Sequence, residues 1–182
     1  MDSKVGRAVN EVIDAMVERR SCRSFKAEMP SEEQLDAVVE AGLYAASGMG
    51  RQSAIILKVT DRALRDRLSA LNAQVMGTDA DPFYGAQTVV VVLVDAGVPT
   101  CVEDGALAMG NLMNAAHALG VDSCWIHRAR EEFESEEGRA LLASWGLPSD
   151  GSLRGVGHCI LGYAASPAGE AKPRRDNVVY VK

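Results

Sequence analysis

Basic charge is the first thing this sequence is short of. Its 182 residues carry 19 lysines and arginines against 25 aspartates and glutamates, a net charge of −6. Without a basic surplus nothing drives counterion release from a polyanion, so no nucleic-acid partner is expected. Long apolar runs are missing too. None approaches the ~18 residues of a membrane span, and no membrane partner is expected. The four cysteines, Cys22, Cys101, Cys124 and Cys159, form no C-x-x-C pair and have no metal-ligand spacing to His117, His127 or His158. With no secretory leader pattern, this points to free thiols in a reducing cytoplasm, and no metal site is expected. Repeats and low-complexity segments are absent. The length suits one domain, able to bury about 70% of its unfolded surface.

What is present reads as alternating helices and strands. Val9, Val12, Ile13, Met16 and Val17 recur at helical spacing, which predicts an amphipathic helix near residues 8–18. Ser31-Glu32-Glu33-Gln34 is a capping box, opening a second helix whose apolar face runs from Leu35 to Ala46. Residues 55–60 read as a buried strand. Asp61 can cap a third helix carrying Leu64, Leu68, Leu71 and Val75, stopped by Gly77. Thr78 to Gly85 is a loop, and Val89 to Val94 a central strand apolar on both faces. The longest helical candidate, about 102–119, is apolar nearly all round and rich in glycine and alanine. Such a helix needs burial on several sides, in a monomer core or at a homodimer interface. In either place Asp104, Asn111, Asn114 and His117 need partners. A strand follows at 121–127. The glutamate run Glu131, Glu132, Glu134, Glu136, Glu137 reads as a solvated helix face, with Ser135 a cap before its amphipathic half. A last strand covers 156–163. The tail ends in Val178-Val179-Tyr180-Val181, a β-like segment suited to a neighbouring sheet.

Two stretches carry chemistry. Arg19-Arg20-Ser21-Cys22-Arg23-Ser24-Phe25 gathers three guanidinium forks and two hydroxyls, a set that matches phosphate oxygens on a small molecule. The plainer reading is a solvated helix end, with Arg19 and Arg20 complementing the dipole. The second stretch, Ala45 to Gln52, contains Gly48-x-Gly50. A dinucleotide fingerprint must follow a strand and open a helix. This one does the reverse, so its glycines are better read as letting the backbone lie flat against a planar group.

Taken in order, these motifs resemble the nitroreductase family of FMN-dependent flavoproteins. The resemblance runs from Glu18 to the tail. It rests on Arg19-Arg20-Ser21-x-Arg23-x-Phe25, on Ala46 to Gln52, on His117-Ala118-Leu119-Gly120 with Ser123-Cys124-Trp125-Ile126, and on Lys172-Pro173-Arg174. It implies an α+β fold with a mainly antiparallel central sheet flanked by helices. Residues 1–182 would form one FMN-binding domain in an intertwined homodimer, with 164–182 reaching the partner subunit. By the same resemblance Arg19, Arg20, Ser21 and Arg23 hold the phosphate and ribityl chain, joined by Lys172 and Arg174. Ser47, Gly48, Met49 and Gly50 lie along the isoalloxazine. Ile126 and His127 face the flavin N5 edge through backbone groups, and Gln52 and Asn72 are candidates for the pyrimidine edge.

The implied activity passes electrons from NAD(P)H, the co-substrate, through the flavin to nitro compounds, quinones or similar acceptors in a ping-pong cycle. The cofactor carries the chemistry. Hence no Ser-His-Asp set or paired carboxylates are required, and no side chain is assigned as catalytic. Related chemistries, dehalogenation or flavin reduction, share the motifs, as does a flavin-binding protein without turnover. The chain departs from the family's Pro-Ser-x-x-Asn-x-Gln-Pro-Trp pattern at Ala46, Gly50, Ser53 and Ala54, and Gly50 removes a polar side chain that could touch flavin or substrate. Residues 78–85 and the segment after His127 are the candidate lids.

Overall fold

The computed structural model describes residues 10–167 and 169–181. Its framework is a four-stranded sheet of β1 (Ala54–Val59), β2 (Thr88–Asp95), β3 (Asp122–Ile126) and β4 (Leu153–Gly162) in the order β1-β2-β4-β3. Every pairing is antiparallel, so the expected fold class holds. β2 sits inside the sheet, and its Val-rich run is buried from Thr88 to Val94. That explains why the run has no polar face: both sides of this strand meet packed layers.

Among the described residues five α-helices cover the two faces. α2 (Glu32–Leu43) and α4 (Cys101–Ala118) pack on one; α3 (Arg62–Met76), α5 (Ala129–Glu134) and α6 (Glu136–Ser144) pack on the other. The capping box is present in both directions, with Ser31 Oγ accepting from Gln34 N–H and Gln34 Oε1 accepting from Ser31 N–H. Asp61 accepts from Leu64 N–H at 2.8 Å, and Gly77 ends α3 in the left-handed conformation. The acidic stretch breaks at Ser135, which closes α5 and caps α6.

α4 belongs to the core on one side only. Gly105, Ala108, Met109, Leu112 and Ala116 are buried, and a Cβ on Gly105 would come within 2.6 Å of Val156. Its outer side leaves Leu107 exposed, and with α1 (Glu11–Glu18) and α2 it walls an open groove of about 550 Å³. α1 buries none of its residues, leaving Val12, Ile13, Met16 and Val17 exposed. Described tail residues from 169 onward form no strand within this chain. Among the described residues no helix is long and apolar enough to cross a membrane.

Candidate functional site

The arginine stretch begins where α1 stops. Arg20 Nη1 donates to the carbonyls of Val17, Glu18 and Arg19 at 2.7, 2.9 and 2.8 Å, so this guanidinium satisfies the helix end. The chain then extends along the outer edge of β3. Ser21 bridges Ser123 in parallel, and Cys22 N–H donates to the Ser123 carbonyl at 2.9 Å. Further on, Lys26 N–H reaches the Tyr163 carbonyl and Ala165 N–H the Ser24 carbonyl, both at 2.8 Å. The stretch is thus sewn to the sheet edge and to the end of β4. Ser21 to Ser24 share a hollow of about 200 Å³ with Ser166, Pro167 and Gly169. Lys172 and Arg174 follow in the exposed tail, and Arg23 is exposed.

Arg19 differs from its neighbours. Its Nη1 is buried and has no hydrogen-bond partner among the described residues. A buried cationic donor left unpaired is costly, and the cost is removed by an anion. Cys159, near enough to feel the Arg19 charge, is pushed up to about 12 by burial, so its thiol is inert at neutral pH.

At the far end of β3, Ile126 is buried and His127 exposed. Strand rise puts this end about 13 Å from Ser123, a span for a ligand with an anionic end and a flat end. Arg128 turns the chain at φ 78°, an uncommon conformation outside glycine. A buried network holds it there. Asn72, fully buried, donates from Nδ2 to the His127 carbonyl at 2.8 Å and to the Glu132 carboxylate, while its Oδ1 accepts from Arg128 Nε at 2.9 Å. Glu132 also meets His158 Nε2 at 3.1 Å, both side chains inaccessible to solvent, with the Phe83 and Phe133 rings beside the imidazole. The expectation of a wholly solvated acidic face therefore fails at Glu132. Ala129, Glu132 and Phe133 form the inner side of α5. The apolar Phe133 inside the glutamate run was the available signal that this helix has a buried face.

The glycine loop lies at the other edge of the sheet. Ser47 precedes a 3-10 turn at Gly48–Gly50, and Met49, Gly50 and Gln52 all have φ between 50° and 65°. Asp104 of α4 pins it from beneath: Oδ1 accepts from Gly48 N–H at 2.9 Å and Oδ2 from Ser53 Oγ at 2.8 Å. The Gly48 amide and the Ser53 and Thr100 hydroxyls hold this carboxyl below the usual range against the opposing pull of burial. A Cβ on Gly48 would fall 2.2 Å from Thr100 Oγ1, so glycine is required there. Gln52 N–H donates to Ser47 Oγ at 3.0 Å, and Met49 is 89% exposed at the tip. Buried Asp104 and half-buried Asn111 thus have partners, the latter donating to the Ala41 carbonyl at 3.0 Å.

One chain therefore gathers Arg19, Ser21, Arg23, Ile126 and His127 along the β3 edge. It holds Ser47, Gly48, Met49, Gly50 and Gln52 beside β1, with β2 and β4 between the two groups. Loop 78–85, a candidate lid, is anchored: Asp81 accepts from Arg65 Nη2 and Ser69 Oγ, each at 2.6 Å, and from the Phe83 and Gly85 amides.

Fold and site together describe an α+β protein with an arginine-rich stretch running along one sheet edge. The chain belongs to the Nitroreductase family, whose model matches residues 16–163. It is similar to the FMN reductase (NAD(P)H) of Bacillus subtilis (strain 168), at 26% identity over 148 residues, 67% of this chain and 56% of that protein. It therefore spans little more than half of that curated relative's length. A nitroreductase with bound FMN from Bacteroides fragilis NCTC 9343 superposes with a TM-score of 0.87 at 26% identity, over 96% of this chain and 100% of that one. A nitroreductase with bound FMN from Desulfitobacterium hafniense DCB-2 gives 0.84 at 27% identity, with the same coverage.

Proposed function

We propose that this chain is an FMN-dependent oxidoreductase that passes electrons from NAD(P)H to nitro compounds, quinones or related acceptors in a ping-pong cycle, as a homodimer in the cytoplasm. The observation that carries this reading is the buried Nη1 of Arg19, unpartnered among the described residues, at the start of the Arg19 to Ser24 stretch of a nitroreductase-family fold. That orphaned donor fits a phosphate monoester. FMN-bound relatives of the same fold support the choice of ligand, and four buried free thiols support a reducing compartment.

FMN, when bound, supplies the electron-transfer chemistry. Arg19 and Arg23 hold its phosphate with Ser21. Arg20 adds charge through Nε and Nη2, its Nη1 being engaged on α1. Lys172 and Arg174 close the socket from the tail. Ile126 and His127 present backbone to the ring edge, and Asn72 positions that turn through the His127 carbonyl. The rigid loop Ser47 to Gln52 is the second ring contact. Because it lies at the wrong edge of its own sheet, it comes from a second copy. The exposed apolar faces of α1 and α4 and the terminal Val178 to Val181 are the surfaces that copy covers. Residues 1–182 then act as one domain, with 164–182 crossing between subunits.

The purified protein is expected to be yellow and dimeric. Its flavin absorbance should bleach anaerobically with NADH or NADPH and return when a nitroaromatic or quinone is added. Colourless protein that fails to take up added FMN would overturn the reading. Flavin that neither nicotinamide bleaches would instead assign a binding protein without turnover.

A further inference from the structure

A further cavity, about 180 Å³, opens where the start of α4 meets the end of β3 and the start of β4. Val102, Ala106 and the indole of Trp125 give it apolar walls, and His127, Arg128, Arg130 and Arg154 give it positive charge. Glu131 is the one carboxylate on its lining. Three guanidiniums against one acid is a local reversal of a chain whose net charge is −6.

The three arginines are not equivalent. Arg130 is engaged with Glu134 at 2.8 Å. Arg128 commits Nε to Asn72, and its two terminal nitrogens have no hydrogen-bond partner among the described residues. The side chain of Arg154, half-buried in β4 opposite Val94, makes no hydrogen bond or ion pair among the described residues. The Trp125 Nε1 is likewise buried without a partner. The indole is held there by the absence of a side chain at Gly157, where a Cβ would stand 2.1 Å from that nitrogen. A half-buried guanidinium without a counter-charge, an idle indole donor and an aromatic wall share one complement: an acid group carried on a flat ring.

We propose that this pocket binds the acid group of the electron acceptor, a carboxylate on a small aromatic molecule, with Arg154 and Arg128 taking the oxygens and Trp125 facing the ring. The volume is below the ~300–1,000 Å³ of a site for a larger ligand, so it admits a benzoate-sized group and not a dinucleotide. The identity of the ligand as acceptor rests on the function proposed above, since His127 belongs to both this pocket and the expected ring edge; the charge and vacancy of hydrogen bonds at Arg154 do not.

The test uses the flavin-loaded protein and two readouts. First, sodium benzoate is titrated by calorimetry, and by fluorescence of Trp125 alone in a Trp145→Phe background. Saturable binding is expected, about tenfold or more weaker in Arg154→Ala and partly restored in Arg154→Lys. Secondly, the ratio of kcat/KM for 4-nitrobenzoate over 4-nitrobenzamide should fall about tenfold in Arg154→Ala. No saturable benzoate binding, or equal affinity in Arg154→Ala, overturns the pocket. Binding of inorganic phosphate but not benzoate overturns the carboxylate assignment. Benzoate binding that depends on Arg154 without turnover of either nitro compound upholds the pocket and defeats the reading of its ligand as acceptor.

Discussion

Arg65 and Arg19 each carry positive charge into the fold, and they are managed in opposite ways. Arg65, 6% exposed, is saturated: Nε donates to the Ala86 carbonyl at 2.7 Å, Nη1 to Asp66 at 3.0 Å and Nη2 to Asp81 at 2.6 Å, with the Phe83 ring beneath. Arg19 buries Nη1 and gives it nothing. Both sit beside strands of the same sheet, so general packing does not account for the contrast. The saturated residue closes a structural account within the chain, because a buried charge must be paired and hydrogen-bonded to be tolerated. An open account points outward, to a ligand that arrives with the missing charge. On this view Arg65 belongs to stability and Arg19 to binding, and substitutions at the two should separate those properties.

The largest expected effect is on stability. Arg65→Ala strips Asp81 of its charged partner and frees the loop that Asp81 organises. It should cost about 3 kcal/mol, or a Tm lower by about 6–12 °C in a domain of this size. FMN affinity, measured where the variant is still folded, should be nearly unchanged. A variant that keeps its Tm but loses flavin would dissolve the distinction. Arg19→Ala is the mirror experiment. FMN binding should weaken by about 1.5–3 kcal/mol, the scale of a lost charged hydrogen bond. The apoprotein should melt no earlier than the parent, since an unpaired buried donor has been removed. Equal losses of flavin affinity and apoprotein stability would mean that Arg19 has a partner inside the fold after all.

The same contrast separates what could be read in the sequence from what could not. Local rules were legible. The Ser31 to Gln34 box, the Asp61 cap and the Gly77 stop each act within a turn, so composition and spacing suffice. The antiparallel class and the Arg19 to Phe25 motif came through the family's pattern. Closures over long separations were not legible. Glu132 looked like one more solvated acid until the fold set it against Asn72 and His158, 60 and 26 positions away. Asp104 was known to need partners, but nothing near it in the chain named Gly48 and Ser53. Arg128 carries a backbone conformation that its side chain does not advertise. The loop at 78–85 looked free because its polarity was visible and its anchor, Arg65, was not.

Acid sharpens the account at Arg65 with the smallest expected effect. Burial pulls the Asp81 carboxyl upward. The hydrogen bonds from Arg65, from Ser69 and from the Gly85 and Phe83 amides outweigh it, so the folded value lies below the ordinary one. A depressed folded value means that Asp81 contributes its full stability above the unfolded carboxylate value, about 3.9. The contribution drains away as pH falls below that point towards the folded value. Asp81→Asn lacks the titration but keeps the side chain's size. The stability gap between parent and variant should therefore be flat through the neutral range and close below about pH 4. Asp104 and Asp150, whose carboxyls are also held low, titrate in both proteins and cancel in the difference. A gap that persists unchanged into strong acid would show that Asp81 holds the loop by geometry alone, and that the saturation of Arg65 owes nothing to charge.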